Sequence, residues 1–441
     1  MERYDVVLIS PPSRAINHFR PPMSLIYLGG YLKYRGLKVK IIDPTMKDIV
    51  RDNKFYNHRD LLINSIRLSI IHEIQQTTTR YVGISCYSGE VEEVKSLIGD
   101  IRRYSSAKIV VGGVHPTLNP LEFKDYADEI VVGEGEVALY NILMGNPPEE
   151  YKIHDIESIS HPDYSLIDVD YYTRPNPYSI RGMFLSTSYI LASRGCPASC
   201  KFCVAPRLRP YFGTGRYRDV FSIIKEIIHL RDTYHIDGFY FLDDYFTLNK
   251  KLVLEFCKYM RNLNTGLVWA CNSKVNIDEE LIEAVASAGC IQMDFGVERG
   301  SDRSLREVNK GQTVEQIKNT FRLCKKYGVR TFANMLVNIK GETLEDYDDI
   351  INLLNEIKPT IFSVNNYVKY DGALLDEGTG QLKAIGTKEC PANRVYLDLW
   401  KHIRAHVNMR YIRLVWKSHK RIEYLKQFGL LIKEVFLQCR R

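Results

Sequence analysis

Two periodicities take turns along most of this chain. DVVLIS (5–10) is a short apolar run stopped by PPSR, and VKIID (39–43) is another that ends at Pro44. Between them SLIYLGGYLKYRG has helical spacing and closes on Gly36, a residue suited to a helix C-terminal cap. The cycle repeats with YVGISCYS, the helical EVEEVKSLIGDIRRY, the run KIVVGG and finally EIVVGEGEVAL. Apolar runs that end in small or polar residues and alternate with helical segments predict a Rossmann-like open parallel sheet with helices on both faces. Ligands of such sheets bind beyond the carboxyl ends of the strands. In this sequence those ends carry Ser10, Pro12, Ser85, Ser88, Gly112, Gly113, His115, Gly133, Glu134 and Gly135. No spaced GxGxxG follows the first strand, which counts against a dinucleotide site. VVGG (110–113) and VVGEGE (131–136) imply either tight turns or backbone brought close to a flat or extended ligand. His115 follows its glycines in a loop, as a ligand contact or as a surface side chain.

Residues 146–187 are rich in Pro, Asp and Tyr with weak periodicity, the composition of a linker. From 188 the alternation resumes: SYILAS, GFYFLDD, LVWACNS, IQMDFGVE, RTFANMLV and TIFSVNNYV are separated by helical segments. Six strands between Tyr189 and Val368 predict a partial (β/α)6 TIM-type barrel with its chemistry at the strands' carboxyl ends. Residues 371–441 hold helical candidates at roughly 391–408 and 419–438 and are read as a small cap over the barrel mouth. The predicted organisation is α/β throughout: an open-sheet domain over 1–145, a linker over 146–187, the barrel over 188–370 and a mostly helical C-terminal region over 371–441.

Composition fits folded domains, with 45% hydrophobic and 26% charged residues in 441, a length that calls for two domains or more. The net charge of +7 concentrates in residues 401–441, which hold eleven Lys or Arg against two Glu. A solvated helix face accounts for that excess without a nucleic-acid partner. The apolar and basic mixture of KQFGLLIKEVFLQCRR fits packing on the protein's own core or peripheral contact with a membrane. MERYDVVLIS enters a strand at once, with no signal-peptide pattern, and no run is long enough to span a membrane. The expectation is a cytoplasmic protein, a setting in which clustered cysteines bind metal more often than they form disulfides.

SRGCPASCKFC (193–203) places Cys196, Cys200 and Cys203 in a CxxxCxxC pattern directly after SYILAS. A structural zinc would draw a fourth ligand from another close Cys or His pair, and none lies nearby; the other seven cysteines are isolated. Three thiolates on a cubane iron–sulfur cluster leave one iron with a coordination position open to something else.

The motif, with Phe202 before the last cysteine and in the loop after the first barrel strand, resembles the radical S-adenosylmethionine (SAM) superfamily. In that superfamily the cysteines hold a [4Fe-4S] cluster, and SAM chelates the open iron and yields a 5'-deoxyadenosyl radical. The resemblance continues through RYRDV (216–220), FLDDYF (241–246), FGVERGSDRSLREVNKGQT (295–313) and KGETLED (340–346). PPMSLIYLGGYLKYRG, YVGISCYS, VVGGVHPT and VVGEGE resemble the branch with an N-terminal cobalamin-binding-type domain, so that the similarity spans about residues 4–370.

For the site, the resemblance implies SAM contacts at Phe202, Asp243, Asp244, Glu298 and Gly341, and cobalamin contacts at the open-sheet strand ends named above. Glu298 matches an acidic residue near the SAM amino group or ribose, with pairing to Arg299 or Arg303 as the alternative. Asp243 and Asp244 suit ribose hydroxyls or substrate, or a helix cap. Arg194 and Arg218 suit a substrate carboxylate or the cluster charge, or surface salt bridges. KGE at 340–342 departs from the family's glycine–proline–glycine–glutamate form. The Asp-x-His-x-x-Gly signature is missing, which implies a cobalt without a protein histidine, or an empty domain.

The reaction implied first is cobalamin-dependent C-methylation of an unactivated carbon. Epimerisation, cyclisation or rearrangement by the same radical is the alternative, and an epimerase would want a thiol hydrogen donor, for which Cys271 and Cys390 are candidates. A non-catalytic cobalamin or metal sensor ranks last, since the cluster cysteines are present. An external one-electron reductant such as flavodoxin or ferredoxin is implied, and the substrate is left open among a small molecule, a peptide and a lipid.

Overall fold

A computed structural model describes residues 2–12, 20–43, 59–147, 152–159, 162–369, 372–376, 378 and 414–426. The chain separates into two compact units. One runs to Tyr172 and includes Arg207–Arg216; the other holds Thr173–Pro206 and the chain from Tyr217.

The first unit is a parallel five-stranded sheet of β1 (Glu2–Ile9), β2 (Val39–Ile42), β3 (Thr77–Ser85), β4 (Lys108–Gly112) and β5 (Glu129–Ile130), ordered β2-β1-β3-β4-β5. Strand order reverses between β1 and β3, which opens a crevice at their carboxyl ends. Helices α1 (Met23–Tyr34), α2 (Arg59–Gln75), α3 (Val91–Tyr104), α4 (Val114–Leu118) and α5 (Gly135–Leu143) complete the unit. The buried stripe Val94, Leu97, Ile98, Ile101 of α3 joins the core formed by Val7, Val82, Ile84 and Val111. Three local features differ from the sequence reading. Helix α2 was not predicted; Ile63, Ile66, Ile70 and Ile74 form its buried stripe. EIVVGEGEVAL pairs as a strand only at Glu129–Ile130, because Gly133 (φ 94°) turns the chain and α5 begins at Gly135. His115 lies in α4 rather than in a loop.

The second unit is the six-stranded parallel sheet of a partial barrel: β6 (Thr187–Ile190), β7 (Gly238–Phe241), β8 (Val268–Ser273), β9 (Cys290–Glu298), β10 (Arg330–Val337) and β11 (Ile361–Asn366). Spatial order follows chain order, with every neighbouring pair parallel. The connecting helices start at caps present in the sequence, with Asp219, Asn249, Asp278 and Thr313 accepting from Phe221, Leu252, Leu281 and Gln316 N–H. Side chains alternate across the sheet. Phe241 and Trp269 pack outward against Phe246 and Phe256, and the Phe239 ring lies against both Phe241 and Trp269. On the other face the Tyr240 hydroxyl lies 2.8 Å from Asn272 Oδ1 and 2.9 Å from Asp294 Oδ2.

Of the region predicted as a cap, residues 414–426 lie at the end of the barrel opposite the cysteine loop. Tyr424 is fully buried, donates to Asp237 (2.8 Å) and accepts from Ser186 N–H (2.9 Å), and Ser418 also donates to Asp237 (2.8 Å). Asp237 and Ser186 immediately precede β7 and β6, so this segment packs at the amino-terminal end of the barrel. The helical candidate at 391–408 and residues 427–438 of the other lie outside the described residues. Among the described residues no helix is long and apolar enough to cross a membrane.

Candidate functional site

Strand β6 delivers the chain to the carboxyl end of the barrel, where the short strand Ser193–Gly195 leads into Cys196. Neighbouring segments then fix the cysteine loop. Lys201 N–H donates to Val308 O (3.0 Å), Asn309 Nδ2 to Ser199 O (2.7 Å), and Leu374 N–H to Lys201 O (2.7 Å). Phe202 packs on the cluster of Val308, Ile339, Tyr367 and Ala373. Cys200 is buried and Cys196 and Cys203 are half-buried. Burial pushes the Cys196 and Cys203 thiols up, the Ala198 and Ala205 N–H groups counter it, and Asp244 and the neighbouring cysteines add to the rise.

Thiols that oppose one another's ionisation need a cation to become thiolates together. Among the described residues no group of three His, Cys, Asp or Glu could hold a single metal ion. The fit to a [4Fe-4S] cluster therefore rests on the donor set: three thiols on one fixed loop at the barrel mouth.

Asp243 is buried and inward-tied: it accepts from Ala192 N–H (3.0 Å) and from the Ser193 hydroxyl, anchoring the entry to the cysteine loop. Burial raises its carboxyl to about 6, against the pull of those hydrogen bonds. Asp244 is exposed, and its charge reaches Cys196 and Cys203. Glu298 ends β9 at φ 68°, a left-handed conformation uncommon outside glycine and frequent at functional sites. Neither predicted arginine pairs with it. Arg299 points to the other side and is buried against Glu342 and Asp346, while Arg303 bonds Glu307 and Asp346.

The partner of Glu298 is Lys310, at 2.8 Å. Burial works against the Lys310 charge, but Glu298 and the nearby Cys200 and Cys203 hold it in the charged form. Its ammonium also lies 5.5 Å from the centre of the Phe202 ring. Lys274, just beyond β8, donates to the Lys310 carbonyl (2.8 Å). Sequence reading missed both lysines, although Lys310 lies within the NKGQT segment already singled out. Gly341 (φ 84°) sits in open space, while Glu342 accepts from Asn338 N–H (2.6 Å) and from Arg299, fixing the turn after β10.

The predicted cobalamin contacts gather at the carboxyl ends of β1, β3, β4 and β5. Ser10 follows β1 and hydrogen-bonds Asp43, and Pro12 is buried. Ser85 ends β3 opposite Gly112. Gly113 takes φ 110°, and a Cβ there would lie 2.9 Å from Cys86 O, so this glycine answers to close internal packing. Both His115 ring nitrogens are engaged, by Ser88 (3.1 Å) and Glu122 (2.9 Å). Glu134 is buried and bonded by Arg216 (2.7 and 2.9 Å) and by Ile153 N–H (2.6 Å). The Gly133 N–H donates to Thr117 (3.0 Å), and Gly135 starts α5. Of the predicted contacts, those left half-buried are small: Ser10, Ser85, Ser88, Gly112, Gly113 and Gly135. That fits a corrinoid held by shape, with no imidazole from His115.

The weaker candidates separate. Arg218 is buried and locked to Leu191 O (2.9 Å) and Glu226. Arg194 is half-buried in the short strand before Cys196. Cys271 shares the outward face of β8 with Trp269, and its thiol hydrogen-bonds Cys290, which places it in the helix-side layer rather than in the lumen. Cys390 lies outside the described residues.

Residues 190–354 match the radical SAM superfamily and residues 14–143 the B12 binding domain. Fold and site thus define a barrel of the cluster-binding type and an open parallel sheet of the corrinoid-binding type on one chain. The chain carries a radical SAM domain and an N-terminal B12-binding domain. An uncharacterised methyltransferase of Pyrococcus horikoshii is 25% identical over 390 residues, 81% of this chain and 79% of that protein. An anaerobic magnesium-protoporphyrin IX monomethyl ester cyclase of Rubrivivax gelatinosus is 24% identical over 77% of this chain, which spans 62% of the cyclase. The radical SAM methyltransferase TsrM of Kitasatospora setae, solved with tryptophan and a SAM analogue bound, shares the fold at a TM-score of 0.63 and 19% identity, over 82% of this chain and 72% of TsrM.

Proposed function

We propose that this chain is a cobalamin-dependent radical SAM methyltransferase acting on an unactivated carbon. The observation that carries the reading is the conjunction of a fixed three-thiol loop at a barrel mouth with a B12-binding domain on the same chain. Cys196, Cys200 and Cys203 would hold a [4Fe-4S] cluster, and the open strand ends of the first unit would hold cobalamin. When bound, the cluster supplies the electron that cleaves SAM and cobalamin carries the methyl group.

The chain's own residues provide position and charge. Asp243 secures the start of the cysteine loop, Phe202 fixes its end, and Glu298 offers an anion to the SAM ammonium or ribose. Asp244 and the open backbone at Gly341 line the remaining approach. The enzyme would work in the cytoplasm with an external one-electron reductant such as flavodoxin or ferredoxin, on a small molecule, peptide or lipid.

Similarity to the cyclase favours a second reading, in which the same radical closes a ring without methyl transfer. Anaerobic incubation of the reconstituted protein with SAM, cobalamin and dithionite tests the choice. The methylase reading expects S-adenosylhomocysteine that depends on cobalamin, together with 5'-deoxyadenosine. Deoxyadenosine alone favours the cyclase reading, and neither product contradicts both.

A further inference from the structure

We infer that Lys310 is a positioning residue of the cluster site, holding the Glu298 carboxylate and supplying the positive charge that sets the cluster's reduction potential. The inference rests on the proposed cluster at Cys196, Cys200 and Cys203. A lysine is almost never fully buried unless paired, yet Lys310 is only 7% exposed. It meets Glu298 at 2.8 Å and faces the ring of Phe202, the residue between Lys201 and Cys203, at 5.5 Å.

The backbone around Lys310 belongs to the same arrangement. Val308 O and the Asn309 side chain clamp the cysteine loop, and the Lys310 carbonyl receives Lys274. Lys310 is therefore carried by the segment that fixes the ligands.

Gly296 supplies an independent observation. A Cβ at this position would lie 2.5 Å from both Glu298 Oε1 and Lys310 Nζ, so the strand leaves out a side chain where the ion pair sits. A fixed cation beside an iron–sulfur cluster favours its reduced, more negative state, and net charge around the cluster is one of the terms that set its potential. Glu298 opposes this effect and is restrained by the same contact.

The test is an EPR-monitored redox titration, without SAM, of the full-length protein reconstituted with iron and sulfide, comparing wild type with Lys310→Met, Lys310→Arg and Glu298→Gln. The expected result is a more negative midpoint in Lys310→Met, a midpoint near wild type in Lys310→Arg, and a shift of opposite sign in Glu298→Gln. A Lys310→Met midpoint equal to that of wild type overturns the inference and leaves the cluster reading standing. If Lys310→Met takes up no cluster, a full cluster at the wild-type midpoint in Lys310→Arg supports the charge role, and its loss there too overturns it. Wild type that holds no cluster overturns the functional reading and the inference together.

Discussion

The mouth of the partial barrel and the carboxyl edge of the open sheet occupy equivalent places in parallel α/β architecture, yet they are built from different materials. At the barrel mouth the side chains are ionisable and brought together: three thiols, Glu298 against Lys310, and a buried Asp243. At the sheet edge the ionisable groups are already satisfied within the unit, His115 by Ser88 and Glu122, and Glu134 by Arg216. What is left part-exposed there is mostly serine and glycine, with the exposed ring of Tyr87 just beyond β3. The first surface is suited to ligation and charge, the second to shape.

The sharpest break of that contrast is Cys200→Ala. It should abolish iron retention and SAM-dependent deoxyadenosine while leaving cobalamin retention unchanged, as read by metal analysis and absorbance of the same sample. Loss of both cofactors would mean that the two surfaces are not chemically separate.

Removing Arg299 attacks the support of the barrel mouth rather than its chemistry. The guanidinium, 3% exposed, lies against Glu342 and Asp346, whose side chains are 1% and 2% exposed. Arg299→Ala leaves these carboxylates buried without it and should cost about 3–5 kcal/mol, measured by denaturant unfolding of the apoprotein. Gly113→Ala strikes the sheet edge. It forces a side chain into φ 110° and against Cys86 O, and should destabilise the first unit by about 1–3 kcal/mol and weaken cobalamin retention without changing iron content.

A smaller effect separates the two surfaces by pH. The Asp243 carboxyl is raised to about 6, so between the usual aspartate range and pH 6 the folded apoprotein holds a proton that the unfolded chain has released. Its contribution to stability is complete below about pH 4 and is lost as pH rises through about 6. Unfolding midpoints should fall across that window, and the fall should flatten in Asp243→Asn; a slope unchanged by the substitution would contradict the assignment.

Much of this was legible in the sequence where the signal is local. The cysteine spacing and six apolar runs with helices between them describe the barrel in order. Helix α2 was harder to see because Leu68, 69% exposed, puts an apolar residue on the face opposite its isoleucine stripe. Lys310 was missed because a lysine in sequence reads as solvated; its burial depends on the clearance at Gly296 and on Glu298, twelve residues earlier. Arg299 and Arg303 looked like partners of Glu298 by proximity, but their guanidinium groups bond other carboxylates. The C-terminal segment carried no sign of which end of the barrel it meets, since Tyr424 finds Asp237 across 187 residues.

The central claim is that one chain holds both a three-thiolate cluster and a corrinoid. Anaerobic reconstitution of the full-length protein with iron and sulfide, in the presence of cobalamin, followed by gel filtration, measures it directly. The account predicts that about four irons and one cobalt elute with each chain, the irons lost in Cys200→Ala and the cobalt kept. Iron without cobalt would contradict it.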